Sequence, residues 1–164
     1  MRVEFYKREN KGRVVAGWDA TRNKRTRVPG AVMAAGKSIP HDLAQYVIEA
    51  SAGYHNGFWD LVARGATFKS TGRRRTKPGR AVIAAHRAEL AGAETLAGLH
   101  KAHWRARRAS VVTENLDRAL AQWNELRPGQ RLLFTWPSPH GSIIEGAASE
   151  YDRAAGAAGA AALR

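Results

Sequence analysis

The chain has 164 residues, the length of one ordinary domain, and the absence of cysteine excludes disulfide bonds and thiolate metal sites. Its 27 lysine and arginine residues face only 14 acidic residues, and the formal charge of +13 attracts polyanions, of which nucleic acid is the first to consider. The N-terminus lacks the apolar segment of a signal peptide, and no apolar stretch reaches the roughly 18 to 20 residues of a membrane span. We therefore expect a soluble, cytoplasmic protein without a membrane partner.

The N-terminal part of the chain is predicted to be extended. Val3 and Phe5 alternate with Glu4 and Tyr6 at the period of a half-buried strand. Residues 9–12 supply turn chemistry, and residues 13–18 are predicted to be the returning strand of a hairpin. Alternation over residues 24–28 predicts a third short strand.

Helices are predicted for most of the middle of the chain. The first begins near Pro40, which suits a first-turn position, and ends at Gly53. Further helices are predicted over 57–65, from 80 to about 108 with a break at Gly92 or Gly98, and over 115–126, with Thr113 as N-cap of the last. Residues 70–79 combine turn formers with positive charge and are predicted to form an exposed loop.

A last strand is predicted over 131–136, where it would pair with the N-terminal hairpin. We therefore expect an α+β fold in which a small antiparallel sheet, made of the hairpin and this late strand, packs against three or four helices. Residues 1–146 are expected to form this single domain. The Ala- and Gly-rich residues 147–164 are expected to be a tail, either frayed helix or disordered.

A polar stripe on the first helix is the first candidate for chemistry. His41, Gln45 and Glu49 recur every four residues, so on a helix they share one face opposite the apolar residues. With Asp42, this histidine and this glutamate would form an acid/base set or offer ligands to a hard metal ion, and we name His41, Asp42 and Glu49 as candidate catalytic residues. The alternative is an ordinary outer face, on which Asp42 complements the helix dipole.

A resemblance enters at these residues. The run Pro40-His41-Asp42-Leu43, with Tyr46-Val47 and Glu49, then Gly57-Phe58-Trp59 and Gly65-Ala66, resembles a group of small bacterial proteins with a Pro-His-Asp-Leu segment followed by a Gly-Phe-Trp segment. The matching stretch covers residues 39–68. That group has no assigned activity, so the resemblance implies a cytosolic bacterial protein and no catalytic role.

Clusters of positive charge are the second candidate. One lies in the predicted loop and at the start of the helix after it, and a second surrounds an aromatic residue that would stack on an unpaired base. The predicted nucleic-acid contacts are Arg73, Arg74, Arg75, Lys77 and Arg80 in the first cluster, and Trp104, Arg105, Arg107 and Arg108 in the second. A third basic run covers residues 22–27. The alternative for each is a solvated run of charge.

Three functions follow from these features. The leading hypothesis is a protein that binds nucleic acid or another polyanion electrostatically, since no helix-turn-helix, zinc-finger or RRM signature is present. The alternatives are a small hydrolase- or lyase-like enzyme acting through the catalytic candidates, and an adaptor for an acidic protein partner. The histidines at 86, 100 and 103 fix no complete ligand set, so no metal or other cofactor is assigned.

Overall fold

The computed structural model describes residues 1–10, 12–23, 25–36, 38–71, 74–127 and 129–145. It confirms the predicted α+β class. The described residues contain six strands, which are β1 (Arg2–Asn10), β2 (Arg13–Arg22), β3 (Thr26–Pro29), β4 (Met33–Ala34), β5 (Gln130–Thr135) and β6 (Gly141–Glu145). They also contain five helices, which are α1 (His41–Ala52), α2 (Phe58–Ala63), α3 (Lys77–Ala85), α4 (Arg87–Arg105) and α5 (Val111–Glu125). The predicted tail over 147–164 lies outside the described residues.

The strands form one antiparallel sheet in the order β3-β2-β1-β5-β6, with β4 pairing to β2 beside β3. The N-terminal hairpin and the late strand are therefore confirmed, and they lie side by side. Phe5 is the centre of this pairing, opposite Trp18 on β2 and Leu132 on β5. The last strand, β6, was not predicted, and it extends the sheet beyond β5.

The two faces of the sheet differ because side chains alternate along each strand. One face carries the aromatic core, where the Phe5 ring lies 5.9 Å from Tyr46 on α1 and 5.7 Å from Trp59 on α2. The opposite face carries Glu4 and Asp19, which are register partners and form ion pairs with neighbouring arginines. The helices thus cover one side of the sheet, and the other side carries a group of ion pairs around Glu4 and Asp19.

The first helix is more deeply buried than its sequence pattern predicts. All seven residues from 43 to 49 are buried, including Gln45 and Glu49 of the polar stripe. The alternative interpretation of the stripe as an ordinary outer face is therefore wrong for these two residues, because Glu49 contacts the start of α2 and α1 also packs against α4 and α5. No described helix is both long enough and apolar enough to span a membrane.

The region predicted as one helix from residue 80 consists of two. Helix α3 begins earlier, where the Thr76 side chain accepts a hydrogen bond from the Gly79 backbone, and the break occurs at His86. The predicted break at Gly92 or Gly98 is wrong, since both glycines lie inside α4. The next helix, α5, also begins earlier than predicted, with Ser110 as its N-cap in a capping box.

Candidate functional site

Four cations flank the start of α3, and we call Arg74, Arg75, Lys77 and Arg80 the basic segment. All four are exposed. A hydrogen bond fixes the turn that carries them, because the Thr67 hydroxyl accepts from the Thr76 backbone N–H at 3.1 Å. The first turn of α3 contains no acidic residue, so the positive helix end is not neutralised locally. Arg73, predicted as a further contact, lies outside the described residues.

Ion pairing distinguishes the basic segment from three arginines of the sheet. Arg2 lies 2.8 Å from Glu4, Arg27 lies 2.8 Å from Asp19, and Arg131 reaches both carboxylates. No cation of the basic segment lies within 4.0 Å of a carboxylate oxygen of any residue that the structure describes. The positive charge at the start of α3 is therefore not compensated by a described carboxylate, whereas these three arginines of the sheet share the carboxylates of Glu4 and Asp19.

The second predicted cluster lies at the C-terminal end of α4. Arg105, Arg107 and Arg108 are exposed there. Arg107 has a distant ion pair with Asp117 at 3.8 Å, and the Arg108 guanidinium lies 3.2 Å from an imidazole nitrogen of His103. Helix α4 has 19 residues and is about 28 Å long, so this cluster lies that far along the helix from the junction with α3.

Trp104, the predicted stacking residue of the second cluster, is half-buried. Its ring packs against the hydrophobic core, and its indole N–H donates to an Asp117 carboxylate oxygen at 2.7 Å. Only part of the ring remains accessible to a base. Its stacking role stays a prediction.

A separate cavity of about 480 Å³ opens between α1, α2 and α4. Its volume lies within the range of roughly 300–1,000 Å³ that is typical of small-molecule sites. Six of its eight described lining residues have polar or charged side chains. The lining residues are His41, Asp42, Gln45, Phe58, Ser70, Glu94, Gly98 and Lys101.

Two of the three predicted catalytic residues meet at this cavity. The Asp42 carboxylate accepts a hydrogen bond from the Trp18 indole N–H at 2.7 Å, and its other oxygen lies 3.2 Å from Nδ1 of His41. Trp18 is itself fully buried, so the carboxylate is held by a rigid donor. The arrangement is an oriented acid with an exposed imidazole beside it, which suits proton transfer or hydrogen bonding to a ligand.

Glu49, the third predicted catalytic residue, is not among the residues that line the cavity. Its carboxylate is fully buried and accepts from the backbone N–H groups of Phe58 and Trp59, at 3.0 and 2.9 Å, and from the Gln45 amide at 2.7 Å. Burial raises the pKa of Glu49 against the opposing effect of these three donors. Both oxygens are engaged, so this geometry favours a structural role in which Glu49 caps α2. The catalytic roles of His41 and Asp42 stay predictions.

Lys101 belongs to this site, although in the sequence it lies only four residues before Arg105 of the second basic cluster. It is half-buried, and burial lowers the pKa of its ammonium group. The signal that would have revealed it is spacing, since Glu94, Gly98 and Lys101 are four and three residues apart and share one face of α4. Its relation to α1 is a tertiary contact, which spacing along α4 does not contain.

The three histidines considered as a metal site each have another polar neighbour, although the His100 and His103 rings lie 6.5 Å apart. His86 lies 2.9 Å from an Arg64 nitrogen, His100 lies 3.1 Å from the Tyr54 hydroxyl, and His103 lies beside Arg108. Within the described part of the chain, no group of three or more His, Cys, Asp or Glu residues is arranged to hold a metal ion.

Neither a family model, nor a curated protein, nor a solved structure matches this chain. The resemblance over residues 39–68 is therefore supported by its Pro-His-Asp-Leu and Gly-Phe-Trp segments alone. The structure brings the two parts of that motif together, because Glu49 of the first segment accepts hydrogen bonds from Phe58 and Trp59 of the second. His41, Asp42 and Phe58 of the motif also line the cavity.

Proposed function

We propose that the protein binds nucleic acid through contacts between phosphate groups and the basic segment. The observation that carries the proposal is the contrast in ion pairing. The cations of the basic segment are exposed and have no carboxylate within 4.0 Å among the described residues, whereas Arg2, Arg27 and Arg131 on the open face of the sheet are paired.

The lack of internal partners favours binding for a physical reason. An arginine that is already paired must exchange one carboxylate for another anion, while an unpaired, hydrated guanidinium gains a partner when a phosphate arrives. Its planar fork matches two phosphate oxygens at once. The helix dipole at the start of α3 acts in the same direction. Release of counterions from the nucleic acid supplies much of the free energy.

The second cluster serves as an additional phosphate contact. Arg105 has no carboxylate within 4.0 Å among the described residues, and Arg107 and Arg108 extend the same exposed end of α4. Because phosphate contacts carry no sequence information, recognition is electrostatic and tolerant of sequence. Arg73 extends the basic segment by its position in the sequence.

The proposal is tested by fluorescence anisotropy with labelled single- and double-stranded oligonucleotides. Eight predicted cationic contacts fall in the range of six to ten for which affinity falls roughly 10³- to 10⁵-fold between about 50 and 200 mM salt. We expect tight binding at the lower salt concentration and a steep loss at the higher. Absence of binding at the lower concentration overturns the proposal. If polyglutamate of equal charge displaces the oligonucleotide as effectively as unlabelled DNA does, the preferred partner is an acidic protein.

An enzyme acting at the cavity is the second candidate. The observation that favours it is the 3.2 Å approach of His41 to an Asp42 carboxylate that Trp18 orients beside a cavity of substrate size. Turnover of p-nitrophenyl acetate or p-nitrophenyl phosphate that His41→Ala abolishes would support a hydrolase. Turnover that survives this substitution would exclude His41 from the chemistry.

A further inference from the structure

The cavity between α1, α2 and α4 contains a cation without a partner. Lys101 lines it and is half-buried, yet its ammonium group has no carboxylate within 4.0 Å and no hydrogen-bond acceptor among the described residues. Burial lowers the pKa of this group, and the charges of Asp42 and Glu49, which lie beyond ion-pair distance, offset only part of that effect. A bound anionic group would supply the missing partner.

The same cavity also contains carboxylates. Asp42 enters from α1, with its orientation fixed by the Trp18 indole, and Glu94 enters from α4 without an ion pair to any described residue. These two acids are the natural acceptors for a cationic amine. Phe58 contributes an apolar surface, and Gln45 and Ser70 contribute neutral hydrogen-bonding groups.

The combination of charges selects one class of ligand. A simple anion would be attracted by Lys101 but repelled by Asp42 and Glu94. A simple cation would be attracted by the two acids but repelled by Lys101. We propose that this cavity binds a small zwitterion, whose ammonium group is held by Asp42 and Glu94 and whose carboxylate or phosphate group is held by Lys101. Amino acids and aminoalkyl phosphates are the two sources of this chemistry, and the site is independent of nucleic-acid binding.

Two glycines of α4 provide a matched pair of variants for the test. A Cβ atom placed at Gly98, which lines the cavity, or at Gly92, which does not, meets no other atom within 4 Å. Leucine favours a helix over glycine by roughly 0.5–1 kcal/mol, so both Gly98→Leu and Gly92→Leu are expected to fold. Only the leucine at position 98 would occupy the cavity.

The experiment measures the binding of defined probes by calorimetry and by thermal shift. The probes are the common amino acids and phosphoethanolamine at millimolar concentration, with acetate and methylammonium as singly charged controls. We expect at least one zwitterion to bind the wild type and Gly92→Leu and not to bind Gly98→Leu. Lys101→Met and Glu94→Gln are each expected to weaken that binding roughly tenfold or more, since each removes one partner of a charge pair.

Each result decides the proposal. Selective binding of amino acids identifies a carboxylate ligand, and selective binding of phosphoethanolamine identifies a phosphate ligand. The proposal is overturned if no zwitterionic probe binds the wild type, if the singly charged controls bind as well as the zwitterions, or if Gly98→Leu binds as well as Gly92→Leu. Oligonucleotide affinity is expected to be equal in the two leucine variants, so failure of one proposal is distinguishable from failure of the other.

Discussion

The buried carboxylate of Glu49 is expected to be one of the largest single contributions to stability outside the apolar core. Glu49→Ala removes the acceptor of three donors, the backbone N–H groups of Phe58 and Trp59 and the Gln45 amide. A buried donor left without an acceptor costs about 1–3 kcal/mol. With partial relaxation of the site, we expect the free energy of unfolding to fall by about 3–5 kcal/mol.

The neighbouring Gly57 makes this prediction specific. Its φ of −74° is accessible to alanine, but a Cβ atom there would lie 2.6 Å from a Glu49 carboxylate oxygen. Gly57→Ala is therefore expected to cost about 1–3 kcal/mol, as overpacking does. In the Glu49→Ala background the carboxylate is gone, so the same change should cost much less. The double-mutant cycle should give a coupling energy of about 1–3 kcal/mol.

The titration of Glu49 predicts the sign of a pH effect. Burial raises its pKa in the folded protein above the ordinary value of 4.5, so the folded state binds this proton more tightly than the unfolded state. The contribution of Glu49 to stability is therefore greatest below about pH 4.5 and is lost as the pH rises through the folded pKa. The stability of wild type minus that of Glu49→Gln should fall with rising pH in this window, by at most about 1.4 kcal/mol per pH unit.

Urea unfolding followed by tryptophan fluorescence measures all of these quantities. Gly92→Ala is the control for adding a methyl group to a glycine, because its Cβ would meet nothing within 4 Å, and it should raise stability by up to about 1 kcal/mol. A loss below about 1 kcal/mol for Glu49→Ala, or strict additivity with Gly57→Ala, would refute the capping role.

Two further predictions concern the sheet and are read from the same unfolding curves. Arg131→Met keeps the approximate length of the side chain but removes the cation that lies 3.1 Å from Glu4 and 3.5 Å from Asp19. The free energy of unfolding should fall by about 2–4 kcal/mol, and a fall below about 0.5 kcal/mol would show that the remaining arginines compensate the two carboxylates. Gly30→Ala would place a Cβ atom inside the Trp18 indole, and it should destabilise the protein by at least about 2 kcal/mol; a neutral result would mean that the loop at residue 30 moves freely.

The sequence predicts the sheet well because its signal is local. Alternation at Val3 and Phe5, and the continuous apolar run at 132–134, indicate strands whatever packs on them. The β6 strand was not predicted because Pro137 and Pro139 favour the end of a strand, whereas the chain returns after them at Gly141 to pair with β5.

The helical layer was predicted less well because its details depend on tertiary contacts. Glycine inside a helix costs only about 1 kcal/mol, so Gly92 and Gly98 remain helical. The break occurs at His86 instead, at the end of α3, whose buried Gly79 packs against Thr67. The periodicity of α1 marks one apolar stripe. It does not reveal that α2 and α4 would bury the opposite side.

Prediction of the candidate site was limited in the same way, because the sequence indicates residue types but not tertiary contacts. The sequence identified His41 and Asp42 by residue type, and the structure places them at one cavity. It did not identify Lys101 or Glu94 as their neighbours, because about fifty to sixty residues separate them along the chain. Glu49 was selected by helical spacing, although its partners, the N–H groups of α2, come from the next helix.

The most direct test of nucleic-acid binding compares two variants of equal charge. The triple alanine variant of Arg74, Arg75 and Arg80 and the triple alanine variant of Arg13, Arg87 and Arg127 each remove three exposed arginines from a chain of formal charge +13. The measurement is the slope of log affinity against log salt for a single-stranded oligonucleotide. Since each phosphate contact contributes about 0.7 to this slope, the first variant should lower its magnitude by about 2 and the second should leave it nearly unchanged. Equal changes in both variants would contradict a localised phosphate site at the start of α3.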